Sequence, residues 1–60
     1  GGRHMKYFET TDRRLEQFLF VHHIHFSHQR KDDYSRNVWA YPISPHLRRV
    51  VREYRRLPKL

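Results

Sequence analysis

Hydrophobic positions recur at helical spacing in two stretches of this chain and alternate in two others. The closing stretch, Ser44 to Pro58, has the clearest pattern. Leu47, Val50, Val51, Tyr54 and Leu57 fall on one arc when residues are set about 100° apart. Arg48, Arg49, Arg52, Arg55 and Arg56 fill most of the other arc, with Glu53 between the two. Ser44 suits the N-cap, and Pro45 suits the first helical position, where a missing amide is no loss. Pro58 then stops the helix.

Earlier in the chain, Leu15, Phe18, Leu19 and His22 follow the i, i+3, i+4, i+7 rule, which predicts a helix from Asp12 to about His22. Phe20 and Val21 widen its apolar stripe. Thr10, Thr11 and Asp12 offer side-chain oxygens to the free amides of its first turn. No glycine or proline follows, so His23 is the candidate for the left-handed residue that ends it. Met5 to Glu9, with Tyr7 and Phe8, reads as a strand. Ile24 to Arg30 alternates, with Ile24, Phe26 and His28 on one side. Val38 to Ile43 places Trp39, Tyr41 and Ile43 on one side. The polar run from Lys31 to Asn37 is a turn. Pro42 cannot donate to a ladder and belongs near a strand end or on a side without a partner.

The predicted order is β-α-β-β-α, an α+β domain. The hairpin pairs the second and third strands. A crossover through the first helix makes the first strand parallel to the second. The expected sheet order is 1-3-2 with both helices on one face. The predicted core is Phe8 or Tyr7, Leu15, Phe18, Leu19, Ile24, Phe26, Trp39, Tyr41, Leu47, Val50, Val51 and Tyr54. The other sheet face and two strand edges stay open to solvent or a partner.

Taken together, Tyr7 to Asp12, Leu15 with Phe18-Leu19, and Ser44-Pro45-His46-Leu47 with Val50-Val51 and Tyr54 resemble a small bacterial and phage domain family. Its members carry a Tyr-x-Thr-Thr-Asp…Leu-x-x-x-Leu…Ser-Pro-x-Leu…Tyr pattern. The likeness runs over almost the whole chain from Met5 onward and rests on caps, core positions and turns. It implies a compact α+β domain found near mobile elements, with no activity attached. Two departures stand out: His23 sits where that family has glycine, and the closing helix is more basic.

Composition narrows the rest. The chain has 60 residues and no cysteine, so there is one domain at most and no disulfide framework. Gly1 to Met5 reads as an expression leader, leaving residues 6–58 as the domain. No apolar run reaches the roughly 18 residues of a membrane span, and a cytoplasmic location is expected. The formal charge is +7, and the segment from His46 onward holds five arginines and Lys59 against Glu53. The excess charge therefore sits on the closing helix. That concentration points to a polyanion or an acidic protein surface.

Charge runs are commonly just solvated faces. A helix that needs only solubility, however, alternates sign to gain i,i+4 pairs, and Arg48, Arg52 and Arg56 repeat one sign at that spacing. Guanidinium forks match phosphate geometry. Arg48, Arg49, Arg52, Arg55 and Arg56 are therefore the predicted nucleic-acid contacts, with Arg30, Lys31 and Arg36 around the hairpin turn extending the footprint. Contact with the phosphate backbone is favoured over base reading, since no helix-turn-helix, zinc-finger or RNA-recognition signature appears. DNA is placed ahead of RNA. The expected role is that of a nucleic-acid-binding accessory protein of a phage or mobile element. The alternative is a protein-interaction module, such as a phage-encoded inhibitor or adaptor, with a homodimer through a sheet edge as a further option. A third reading is a domain whose charge serves only solubility.

His22, His23, His25 and His28 crowd together. His25 and His28 fall on opposite faces of a regular strand and His22 lies on a helix, so they do not converge as a zinc site requires. The plainer reading leaves His22 and His28 partly buried and His23 and His25 wet. Asp12, Glu16, Asp32 and Asp33 lack any accompanying nucleophile or glycine loop. No catalytic residue, metal or cofactor is expected, and the chain is read as a non-enzyme.

Overall fold

Two edge strands flank one short central strand, and the central strand is buried on both of its sides. The computed structural model describes residues 6–58. The elements are β1 (Tyr7–Thr10), α1 (Arg13–Val21), β2 (His28–Lys31), β3 (Asn37–Pro42) and α2 (Pro45–Arg56). The sheet order is β1-β3-β2. β3 runs antiparallel to both neighbours, with Phe8 opposite Tyr41 on one side and His28 opposite Ala40 on the other. The expected α+β class, element order and strand order are all present. The proposed leader, Gly1 to Met5, lies outside the described residues, as does Lys59.

Trp39 and Tyr41 point to the side that meets the helices. They join Leu15 and Leu19 of α1 and Leu47, Val50 and Val51 of α2 in one buried cluster. Phe8, Phe18, Ile24 and Tyr54 pack against it. Full burial of each large side chain contributes about 1.5–3 kcal/mol, and a domain this small has few such contributions to lose.

Both helix starts follow the sequence signals. Asp12 caps α1 by accepting from the amides of Arg14 at 2.9 Å and Leu15 at 3.3 Å. Ser44 caps α2 by accepting from the Leu47 amide at 3.0 Å, with Pro45 next in line. The end of α1 turns on His23, whose φ is 64°. The His23 amide donates to the Phe20 carbonyl and the Ile24 amide to the Leu19 carbonyl. These are the paired bonds of a Schellman ending. Ile24 joins the core beside Leu19.

That ending explains why β2 starts later than alternation suggests. The Ile24 amide is turned back onto α1, so residues 24–27 serve as a connection. Phe26 accordingly leaves the core: it is 38% exposed and meets Tyr41 only edge-on. Phe20 and Val21 lie outside the buried arc of α1 and are exposed. Leu57 is the C-cap of α2 rather than part of its stripe, and Ile43 lies beyond the end of β3. Both are half in solvent. Pro42 sits past the last β2 pair, so its missing amide costs no bond on that side.

The second side of β3 departs most from expectation. Val38 and Ala40 face away from Trp39 and Tyr41, yet they are 5% and 2% exposed. No third layer covers them among the described residues. Tyr7 of β1 and His28 of β2 meet edge to face at 4.9 Å. Glu9 and Arg30 form an ion pair at 3.0 Å. In the strand register, both pairs bridge the edge strands across β3. Alternation identifies which way a side chain points, and here the neighbours' reach decides whether it is wet.

Two substitutions test this packing. The Tyr41 hydroxyl is buried without a hydrogen-bond partner, and such a group costs about 1–3 kcal/mol. Tyr41→Phe is expected to raise the urea midpoint, corresponding to about 1 kcal/mol of added stability. His23→Gly removes the steric cost of a side chain at positive φ and should add about 0.5–1 kcal/mol in the same measurement.

Candidate nucleic-acid interface

The arginine ridge of α2 is set by helix geometry. Its buried residues are Leu47, Val50 and Val51. Arg48, Arg49, Arg52, Arg55 and Arg56 are all exposed and span about 120° of the circumference. From Arg48 to Arg56 the ridge rises roughly 12 Å along the axis.

α1 lies on the other flank. The Tyr54 hydroxyl donates to Asp12 at 3.0 Å, and the Tyr54 ring packs on Phe18 at 5.4 Å between centroids. Burial and the Asp12 carboxylate both push the Tyr54 phenol up from its usual range. The His46 Nε2 lies 3.4 Å from the His22 carbonyl. His46, Val50 and Tyr54 thus mark the α1 side, and the arginines lie away from it.

Among the described residues, no carboxylate forms an ion pair with this ridge. Among the described residues the ion pairs are Arg30 with Glu9 and Arg36 with Asp32. Asp12 is engaged as a cap and by Tyr54. Glu53 shares α2 with the arginines but forms no ion pair within 4.0 Å among the described residues. Arg55 and Arg56 occupy the last turn, where cations also favour the negative end of the helix dipole. That gives two of the five a structural role as well.

The structure separates Arg30 from Lys31. Arg30 sits opposite Val38, on the side away from the helices, and donates through two nitrogens to one Glu9 oxygen at 3.0 and 3.2 Å. A shallow cavity of about 420 Å³ beside it is lined by Glu9, Thr10, Thr11, Arg30, Asp32 and Val38. Its mixed charge does not suit a polyanion. Lys31 sits opposite Asn37, on the parity of Trp39, and its side chain is exposed. The Tyr54–Asp12 bond brings the end of α2 to the sheet end where β1 finishes. Lys31 closes β2 at that same end of the sheet, while Arg30 is engaged by Glu9. Arg14 is a cation that the sequence pattern did not single out. Its amide donates to Asp12, which also accepts from Tyr54, so it stands near the same end.

The hairpin turn is organised by one carboxylate. Asp32 accepts from the amides of Tyr34 at 2.8 Å and Arg36 at 2.9 Å, and from the Arg36 guanidinium at 2.8 Å. Ser35 takes φ 61°. Arg36 also lies over the exposed Tyr34 ring at 5.3 Å. These bonds tie Arg36 to its own loop.

The histidines do not gather. His22 packs on Phe18 at 4.6 Å and His25 meets Phe20 edge-on at 5.4 Å. His28 is exposed rather than partly buried, because it stands on the edge strand β2. Among the described residues no three His, Asp or Glu side chains are grouped to hold a metal. No described helix is long and apolar enough to cross a membrane. No protein-family model matches this sequence, nor does any curated protein or solved structure.

The turn gives a pH prediction. The Arg36 amide, followed by its guanidinium and the Tyr34 amide, holds the Asp32 carboxyl below its usual 3.8 against the opposing effect of burial. A lowered carboxyl stabilises the fold above its ordinary range and loses that contribution as pH falls through the depressed value. The Tyr34 and Arg36 amide resonances should therefore hold steady down to about pH 4 and move below it. An onset near neutrality would contradict the Asp32 assignment.

Proposed function

We propose that this domain binds nucleic acid through the phosphate backbone, using Arg48, Arg49, Arg52, Arg55 and Arg56, with Lys31 at the end of the ridge. The observation that carries the reading is a row of five exposed guanidiniums with no carboxylate paired to them among the described residues. Like charges at i,i+4 raise the energy of the free helix, and a line of phosphates relieves it. The role is binding, with no reaction attached. It suits a cytoplasmic accessory protein of a phage or mobile element, with DNA ahead of RNA.

A rival reading uses the same ridge against an acidic protein surface. It gains support from the exposed Phe20, Val21 and Phe26, apolar groups that phosphate does not need. Salt dependence separates the two. Each phosphate contact contributes a slope of about −0.9 in log K against log salt, so four or so contacts give about −3 to −4. Arg48→Glu combined with Arg52→Glu is expected to abolish binding to duplex DNA without lowering the denaturation midpoint, since both side chains are exposed and unpaired among the described residues. Titration at low salt, followed by backbone amide shifts, is the measurement. Amides that stay still with both duplex DNA and RNA would overturn the reading.

A further inference from the structure

We infer that the outer edge of β1, unpaired among the described residues, is a self-association edge that pairs antiparallel with β1 of a second copy, with Phe8 on the two-fold axis. The argument begins with where the backbone groups point. The Ala40 carbonyl accepts from the Ser27 amide at 2.8 Å, on the β2 side. Carbonyls alternate along a strand, so those of Trp39 and Tyr41 face β1. Their partners Thr10 and Phe8 are then the β1 residues bonded to β3. The amides and carbonyls of Tyr7 and Glu9 are directed to the open edge.

Few registers satisfy that alternation. With Phe8 on the axis, Tyr7 meets Glu9 of the second copy and Phe8 meets Phe8. Each Tyr7–Glu9 pair exchanges both backbone bonds. The two Phe8 rings form the closer, non-bonded pair, where aromatic contacts are favourable. With Glu9 on the axis, two carboxylates would oppose each other. Charge therefore rejects the Glu9 register, and an axis at Tyr7 or Thr10 leaves fewer bonded pairs within Tyr7–Thr10, so the Phe8 register is selected.

The other edge rejects a copy. β2 carries Arg30 and Lys31 within its four residues. Both Ser27 and His28 are set against Ala40, a bulged arrangement. Cations and bulges are the usual protection of an edge. β1 has neither between Tyr7 and Thr10.

Pairing about an axis normal to the sheet gives six continuous strands and turns both Trp39–Tyr41 faces to the same side. If the ridge reading holds, a dimer presents two basic helices on one side. That consequence rests on the proposed function, whereas the pairing itself does not.

Sedimentation equilibrium without nucleic acid tests the pairing. An interface of a few strand residues is small, so the dimer is expected at roughly millimolar protein. The Tyr7 and Glu9 amides should exchange with solvent more slowly as concentration rises, and the Phe8 amide should not change. Tyr7→Glu, which sets two carboxylates opposite in each pair, should give a folded monomer. Gln29→Glu on the β2 edge should leave the dimer intact. A monomer at all concentrations overturns the inference. So does a dimer whose Tyr7 and Glu9 amides exchange as fast as in dilute solution. Neither failure touches the helix ridge.

Discussion

Burial of β3 on both sides is the constraint on which the rest of the molecule depends. Trp39 and Tyr41 anchor the cluster shared with the two helices, and Val38 and Ala40 are sealed from the other side. Among the described residues there is no third layer. The chain closes the second side with side chains of its own edge strands, the Tyr7–His28 and Glu9–Arg30 pairs. The small Ala40 side chain leaves room for them to meet. An exposed ion pair has little worth in itself. Here its hydrocarbon stems cover apolar surface while the charges remain wet.

This arrangement fixes how the acidic residues are distributed. The chain has only six carboxylates. Glu9 is held over the sheet, Asp12 at the start of α1 and Asp32 in the hairpin turn. Each meets a local structural need before any long-range one. What remains near α2 is too little to balance its arginines. The cationic ridge and the well-capped turns are thus two results of one short supply of negative charge.

The hydroxyl of Tyr41 marks a local imperfection in the core. Burial, with the charge of Glu16 adding to it, pushes this phenol up to about 12, so it stays neutral across the ordinary pH range. The ring fills the centre of the cluster at 1% exposure. Its apolar bulk is what the core uses, and the oxygen is carried along unpaired.

By itself the sequence determined the helices and their caps, features governed by short-range chemistry. Helical spacing located α1 and α2, Asp12 and Ser44 capped them, and the left-handed turn fell on His23 without a glycine to mark it. The ridge was legible for the same reason, since an arc on one helix needs only the helical period. Tertiary structure alone decided what depends on neighbours distant in sequence. Alternation could not show that Val38 and Ala40 would be covered, because the cover comes from Tyr7, Glu9, His28 and Arg30 on two other strands. Nor could it separate Arg30 from Lys31. Adjacent residues on a strand face opposite sides, and only the tertiary structure showed that Arg30 is bound to Glu9 while Lys31 takes the side of Trp39. Phe26 left the core because the Schellman bonds delayed β2, a contest between local and sheet hydrogen bonds that is settled in three dimensions.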